Sequence, residues 1–446
     1  MNFNYRLGPF EQDIKKHIDQ CVQNDIIERI WNHDHTVWKP EPTEITNRLG
    51  WLDIANRMTE AVDEMISVKK ALKHEGYTHA LLLGMGGSSL APEVFRRTFG
   101  FTENDLDLDI LDSTDPEAVK SFSDRLDPEK TVFIVSTKSG GTVETLSFFK
   151  YFYNRTKQAL GEAQTGSHFI AITDPGSKLE TLASQYRFRK TFINDSNIGG
   201  RFSALSFFGL VAAVFLGVNV KALLDSAIES GEDFKSPLNA GLELGVILGE
   251  LSRIGRDKVT FISDDSLNAF GDWAEQLIAE STGKEGKGIL PVVDEPLFKA
   301  EEYSDDRVFI FHAMNGKVSQ PQLKEALSHG GHPVLQINLK HREELGGLFF
   351  MYELATAVAC ERLAINPFDQ PDVESAKVQA RKMTAAYQET GQLPEDKPAS
   401  LDAAILTAFL DQSKPGDYIS IQVYAKSHQE LDAVLSALRK KLTEKY

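Results

Sequence analysis

The hydrophobic rhythm of the chain changes once. Over residues 1 to about 75, apolar positions return at helical spacing, through Ile14, Ile18 and Val22 and again through Ile54, Met58, Ala61 and Met65, which predicts amphipathic helices. A turn-rich stretch from Asn32 to Pro42 separates them. Short continuous apolar runs then take over at 80–83, 108–111, 132–135 and 169–172, each followed by a polar loop and a helical pattern. From roughly residue 235 the alternation resumes, with strands expected at 259–262, 308–311, 334–337 and 418–421 and helices near 238–253, 268–281, 320–329, 348–363 and 428–441. Buried strands alternating with helices predict mainly parallel sheets flanked by helices, an α/β fold of two doubly wound units. The expected division is a helical segment over 1–75, a first α/β domain over 76–230 and a second over 231–446.

Composition narrows the partners. At 446 residues the chain exceeds what one core holds. Its 48 basic and 65 acidic residues leave a net charge of −17, which opposes non-specific attraction to nucleic acid or an anionic membrane. An anionic ligand therefore needs a local positive site. Cys21 and Cys360 stand far apart with no Cys/His clustering, so neither a disulfide framework nor a structural zinc site is expected, and a reducing cytoplasm fits. The first residues lack a signal-peptide core, and the most apolar run, 205–218, is shorter than the ~20 residues that span a bilayer. It predicts a buried helix instead.

Ligands of such folds sit beyond the carboxyl ends of the strands, where the Gly/Ser/Thr loops fall. Gly84-Met85-Gly86-Gly87-Ser88-Ser89 follows a strand and opens a helix but departs from the dinucleotide fingerprint. Its glycines allow close backbone approach to a ligand, or make a tight turn with Ser88 as helix cap. The loop from Ser136 to Thr145 places Thr137, Lys138, Ser139, two glycines and Thr142 between a buried strand and a helix. Free amides, hydroxyls and a helix N-terminus suit a phosphate monoester, and a capping box of Thr142 with Thr145 does not need the remaining hydroxyls. Arg201, after Gly199 and Gly200, points a charge into a cleft or makes a surface salt bridge. Gln276 and Glu280 lie four apart and share a helix face, where a glutamate is most often solvated. Gln370 and Lys377 read equally as a turn residue and a solvated lysine.

Five segments in order carry a resemblance: 84–88, 137–145, 199–203, 276–284 and 366–371, the last reading Asn-Pro-Phe-Asp-Gln-Pro. Together they resemble the glucose-6-phosphate isomerase family, built from two sugar-isomerase (SIS) domains. Residues 288–297 look most like the isomerase portion of transaldolase/glucose-6-phosphate isomerase fusions. The resemblance implies an aldose-ketose isomerase interconverting glucose 6-phosphate and fructose 6-phosphate through a cis-enediol. Glu280 would be the base, Arg201 would stabilise the enediolate, and Lys377 would assist near the ring oxygen. Thr137, Lys138, Ser139 and Thr142 would hold the phosphate, while Gly87, Ser88, Gly200, Gln276 and Gln370 would line the sugar site. It also implies a homodimer and no metal or redox cofactor. The alternatives are a non-catalytic sugar-phosphate sensor and an isomerase of another hexose phosphate, such as mannose 6-phosphate. The family's ring-opening histidine falls about twenty residues beyond the base, where this chain reads Phe298-Lys299-Ala300-Glu301-Glu302-Tyr303. Either another acid/base such as Lys377, His329 or His332 opens the ring, or the protein acts on sugar that has opened spontaneously, or activity is reduced.

Overall fold

Ten strands make two sheets of five in the computed structural model of the chain, which describes residues 1–392, 394, 402–414 and 416–445, side chains excepted at 372–374, 376 and 377. The strands are β1 (Asn2–Arg6), β2 (His79–Leu83), β3 (Asp107–Leu111), β4 (Thr131–Ser136), β5 (Phe169–Thr173), β6 (Lys190–Ile193), β7 (Lys258–Ser263), β8 (Leu290–Val292), β9 (Arg307–Met314) and β10 (Val334–Leu339). The first sheet runs β3-β2-β4-β5-β6 and is parallel throughout. The second runs β1-β10-β9-β7-β8, parallel except for β1. The expected α/β class with two doubly wound, mainly parallel sheets is what the chain adopts.

Burial explains the continuous apolar runs. Every residue of β4 is buried, because helices cover both faces of such a sheet. On one face Phe133 stacks on Phe152 and Phe169, with ring centroids 5.1 and 5.0 Å apart. Between the sheets lies the helix Leu345–Arg362, buried without interruption from Leu345 to Cys360, as expected of a helix apolar all round. Its neighbour Ala240–Arg253 presents Gly241, Gly245 and Gly249 at four-residue spacing. A Cβ on Gly245 would stand 2.5 Å from the Ala355 carbonyl oxygen, so glycine there is what lets the two helices touch. The apolar run at 205–218 forms the buried helix Phe207–Phe215. No helix among the described residues is long and apolar enough to cross a membrane.

Three strands depart from the pattern-based expectation and one expected strand is absent. Residues 2–6 are not helical: Asn-Phe-Asn-Tyr-Arg alternates polar and apolar positions and pairs antiparallel with β10, Asn2 opposite Asn338. β6 and β8 are short edge strands with too few apolar residues to register as runs. Residues 418–421 are not a strand. Tyr418, Ile419 and Ile421 are exposed and lack a ladder partner among the described residues, and alternation alone makes no strand without a neighbouring edge.

Candidate active site

The loop after β2 turns through Gly86 at φ +54°. A Cβ on Gly86 would lie 2.7 Å from Gln276 Nε2, and one on Gly87 would lie 2.2 Å from the Gly200 carbonyl oxygen. The backbone-to-backbone approach at Gly87 requires glycine, and the positive φ of Gly86 favours it. The approach brings Gly87, Ser88, Gly200, Arg201 and Gln276, drawn from three distant segments, to one place. Ser88 does not cap the following helix. Ser89 holds that position and its hydroxyl donates instead to Gly86 O at 3.1 Å.

The loop after β4 is arranged around its own hydroxyls. Thr137 Oγ1 and Thr142 Oγ1 are 3.0 Å apart, and Gly141 N donates to Ser139 Oγ at 3.2 Å. Thr142 is the N-cap residue of Val143–Leu160, yet its side chain makes no capping bond. The capping-box alternative is thus not realised, and the hydroxyl stays beside the helix N-terminus with its partial positive charge. Lys138 forms an ion pair with Asp174, at the end of β5, and donates to Ser196 O at 3.1 Å. Burial chiefly pushes the Asp174 carboxyl above its ordinary value, against the pull of Lys138.

Arg201 is no surface residue: it is 1% exposed. Its Nε donates to Ser281 Oγ at 2.7 Å, and Nη2 donates to Pro367 O at 2.5 Å and Asp369 O at 3.3 Å. Nη1 lies 3.4 Å from Glu280 Oε1 and has no hydrogen-bond partner among the described residues. Burial lowers the affinity of Arg201 for its proton, but a guanidinium keeps its charge in proteins. Lys284 works on the same loop, with Nζ donating to Asn366 O and Asp369 O, both at 2.8 Å, and to Asp369 Oδ1 at 2.5 Å. Desolvation pushes its pKa down as well. Below them an aromatic floor runs from Trp38 to Phe368, Phe202 and Trp51, with centroids 5.2 to 5.4 Å apart.

Gln276 and Glu280 occupy the helix Asn268–Thr282, which stops at Gly283. Glu280 is 19% exposed in its side chain. Gln276 Oε1 is buried without a hydrogen-bond partner among the described residues, so it is an acceptor available to a ligand hydroxyl. Gln370 is half-buried at the N-cap position of Pro371–Thr390 and makes no capping bond. Lys377 lies on that helix, and its side chain falls outside the described residues.

Sequence reasoning passed over Ser281, Lys284, Asp369 and Asp174. Ser281 and Lys284 stand inside a recognised segment, but nothing local shows that they reach the 366–369 loop or Arg201. The histidines fare differently. His329 is exposed and faces Glu325 at 3.4 Å, whereas His332 is 6% exposed and packs edge-on against Phe309. His312 is fully buried between Ser263 and Tyr352. Among the described residues no three His, Cys, Asp or Glu side chains gather as a metal site would require.

The phosphoglucose isomerase family model matches residues 47–288. A glucose-6-phosphate isomerase of Carboxydothermus hydrogenoformans is 30% identical over 391 residues, covering 74% of this chain and 83% of that protein. A probable glucose-6-phosphate isomerase of Methanococcus maripaludis is 29% identical over 377 residues, 75% of this chain and 84% of the relative. Among solved structures, a hypothetical protein from Thermus thermophilus superposes with a TM-score of 0.73 at 25% identity, covering 86% of this chain and 100% of that one. A glucose-6-phosphate isomerase from Chlamydia trachomatis shares the fold with a TM-score of 0.60 at 20% identity, over 90% of this chain and 87% of that one. With more than half of its length matched by the family model, and with a relative 30% identical covered over 83% of its own length, the chain belongs to the phosphoglucose isomerase family.

Proposed function

We propose that the chain interconverts glucose 6-phosphate and fructose 6-phosphate, with Glu280 as the base. In this reading the Glu280 carboxylate takes the proton from C2 of the open-chain aldose, and the C2–H electrons form the C1=C2 bond of a cis-enediol. The negative charge that develops on O1 is met by Arg201. O1 then takes up a proton as the C2 hydroxyl gives one up, a net transfer from O2 to O1, and Glu280 returns its own proton to C1 as the C2 oxygen becomes the ketone. The observation that carries the reading is the approach of Arg201 Nη1 to Glu280 Oε1 at 3.4 Å, with the rest of the guanidinium held by other partners. A charge fixed beforehand at the reacting centre costs no reorganisation in the transition state.

Phosphate recognition is assigned to Thr137, Lys138, Ser139 and Thr142, and the sugar hydroxyls to Gly87, Ser88, Gly200, Gln276 and Gln370, with Lys377 near the ring oxygen. Because His312, His329 and His332 are engaged elsewhere, the reading favours Lys377 or spontaneous ring opening over a histidine. The test is a coupled assay following fructose 6-phosphate to glucose 6-phosphate. Turnover by the Glu280→Gln variant at the unmutated rate rejects the base, and binding without turnover in the unmutated protein identifies a sugar-phosphate sensor instead. The same assay with mannose 6-phosphate sets substrate preference. A homodimer is part of the proposal; a monomeric mass by light scattering at micromolar concentration removes it.

A further inference from the structure

The two sheets share one strand order. Read from the other edge, the second sheet runs β8-β7-β9-β10-β1, so β7, β8, β9 and β10 take the places of β2, β3, β4 and β5. In the first sheet the loops after β2, β4 and β5 supply Gly87 and Ser88, the Thr137–Thr142 hydroxyls and Asp174. In the second, the loops after β7, β9 and β10 surround a cavity of 490 Å³, a size suited to a small phosphorylated metabolite. Both sites lie at the carboxyl end of a doubly wound sheet, where the strand order reverses and ligands bind.

Three exposed cations and two carboxylates, Asp264 and Glu343, line the cavity, an excess of positive charge. Lys317, Lys340 and Arg342 line it, and among the described residues none of the three side chains forms an ion pair or hydrogen bond. Neither acid pairs with these cations: Asp264 Oδ1 accepts from Ser266 N at 3.0 Å and Ser266 Oγ at 2.6 Å, and Glu343 faces His341 Nδ1 at 3.3 Å. Lys317 is placed by a tight turn. Asn315 at φ 52° and Gly316 at φ 75° reverse the chain, Met314 bridges Lys317, and Gly316 N donates to Asn338 Oδ1 at 2.7 Å. A local excess of cations over acids, in a chain with net charge −17, favours an anion at this cavity.

We infer that this cavity is a second anion site, binding a phosphate group carried by a small monoester or present as the free ion, separate from the Glu280 centre. Lysine and arginine supply charge-assisted donors matched to phosphate oxygens. Occupancy would bind the loops after β7, β9 and β10 together without touching the loops at Arg201.

Isothermal titration of the full chain with glycerol 1-phosphate, and separately with inorganic phosphate, tests this. Two equivalents per chain are expected. The Lys317→Gln/Arg342→Gln variant should keep one equivalent and bind the other about tenfold or more weakly, as loss of a charge-assisted contact predicts, while isomerase turnover and melting temperature stay unchanged. The Ser139→Ala/Thr142→Val variant should lose the opposite equivalent. Preference for glycerol 1-phosphate assigns the site to a monoester, and equal binding of both ligands assigns it to the phosphate ion. A single equivalent that Lys317→Gln/Arg342→Gln leaves intact overturns the inference. A single equivalent lost only in that variant supports it and removes phosphate binding at the Thr137–Thr142 loop instead.

Discussion

Among the described residues, Arg201 offers Glu280 the one guanidinium nitrogen it has not spent elsewhere: Nη1 stands 3.4 Å from Glu280 Oε1, while Nε and Nη2 are held by Ser281, Pro367 and Asp369. The carboxylate is partly exposed and the guanidinium fully buried, so the acid reaches solvent while the charge behind it stays still. The proposed proton transfer needs that division of roles.

Replacing Glu280 with Gln should therefore lower kcat by about 100-fold or more, the usual contribution of a positioned base, with little change in KM. Steady-state kinetics in the coupled assay separates the two parameters.

Arg201→Lys should damage both activity and stability. A lysine keeps the charge but lacks the fork that reaches Ser281 and two carbonyls at once. Leaving these buried partners unmatched costs about 3 kcal/mol, to be read as a lower denaturant midpoint. If Arg201→Lys melts like the parent chain, the hydrogen bonds are not what holds the 367–369 loop.

Two glycines make a contrasting pair. Gly87→Ala places a Cβ 2.2 Å from the Gly200 carbonyl oxygen, whereas Gly141→Ala meets only Ser139 Oγ at 3.6 Å. The first should destabilise by about 1–3 kcal/mol and abolish activity by parting the Gly87 and Arg201 loops. The second should fold normally, a difference that thermal melts and turnover together detect.

Two fully buried titratable groups contribute to the pH dependence of stability. Burial pushes His312 from 6.5 to about 3. It is neutral in the fold, so stability is complete above the unfolded value and falls as pH drops from 6.5 towards 3, by at most roughly 1.4 kcal/mol per pH unit. Glu353 has both oxygens buried without a hydrogen-bond partner among the described residues, and burial raises it well above 4.5. It is protonated in the fold, so its contribution is complete below 4.5 and declines as pH rises beyond it. Urea unfolding from about pH 4 to 8 should show Glu353→Gln flattening the alkaline side and His312→Gln the acid side.

The alternation of apolar runs and helical patterns exposed both sheets because a strand covered on two faces must be apolar along its length, which β4 is. Edge strands escape that rule. β1 is half-exposed and β8 has three residues, so neither carries a signal that outweighs its surroundings. Residues 418–421 carry an alternating signal without a neighbouring edge to pair with.

Local spacing also placed Gln276 and Glu280 on one helix face and gathered the hydroxyls of Thr137, Ser139 and Thr142 at a helix start, because backbone periodicity acts over a few residues. Whether Arg201 was a surface ion or a buried charge was decided by packing. Its bonds to Ser281 and Pro367 span 80 and 166 positions along the chain, and Lys138 finds Asp174 across 36. Such partners are selected by how sheets and helices stack, and desolvation then makes each bond obligatory. The candidate site residues are thus legible locally, whereas the fixed charge behind Glu280 exists only once the helix Asn268–Thr282 and the 366–369 loop have closed around Arg201.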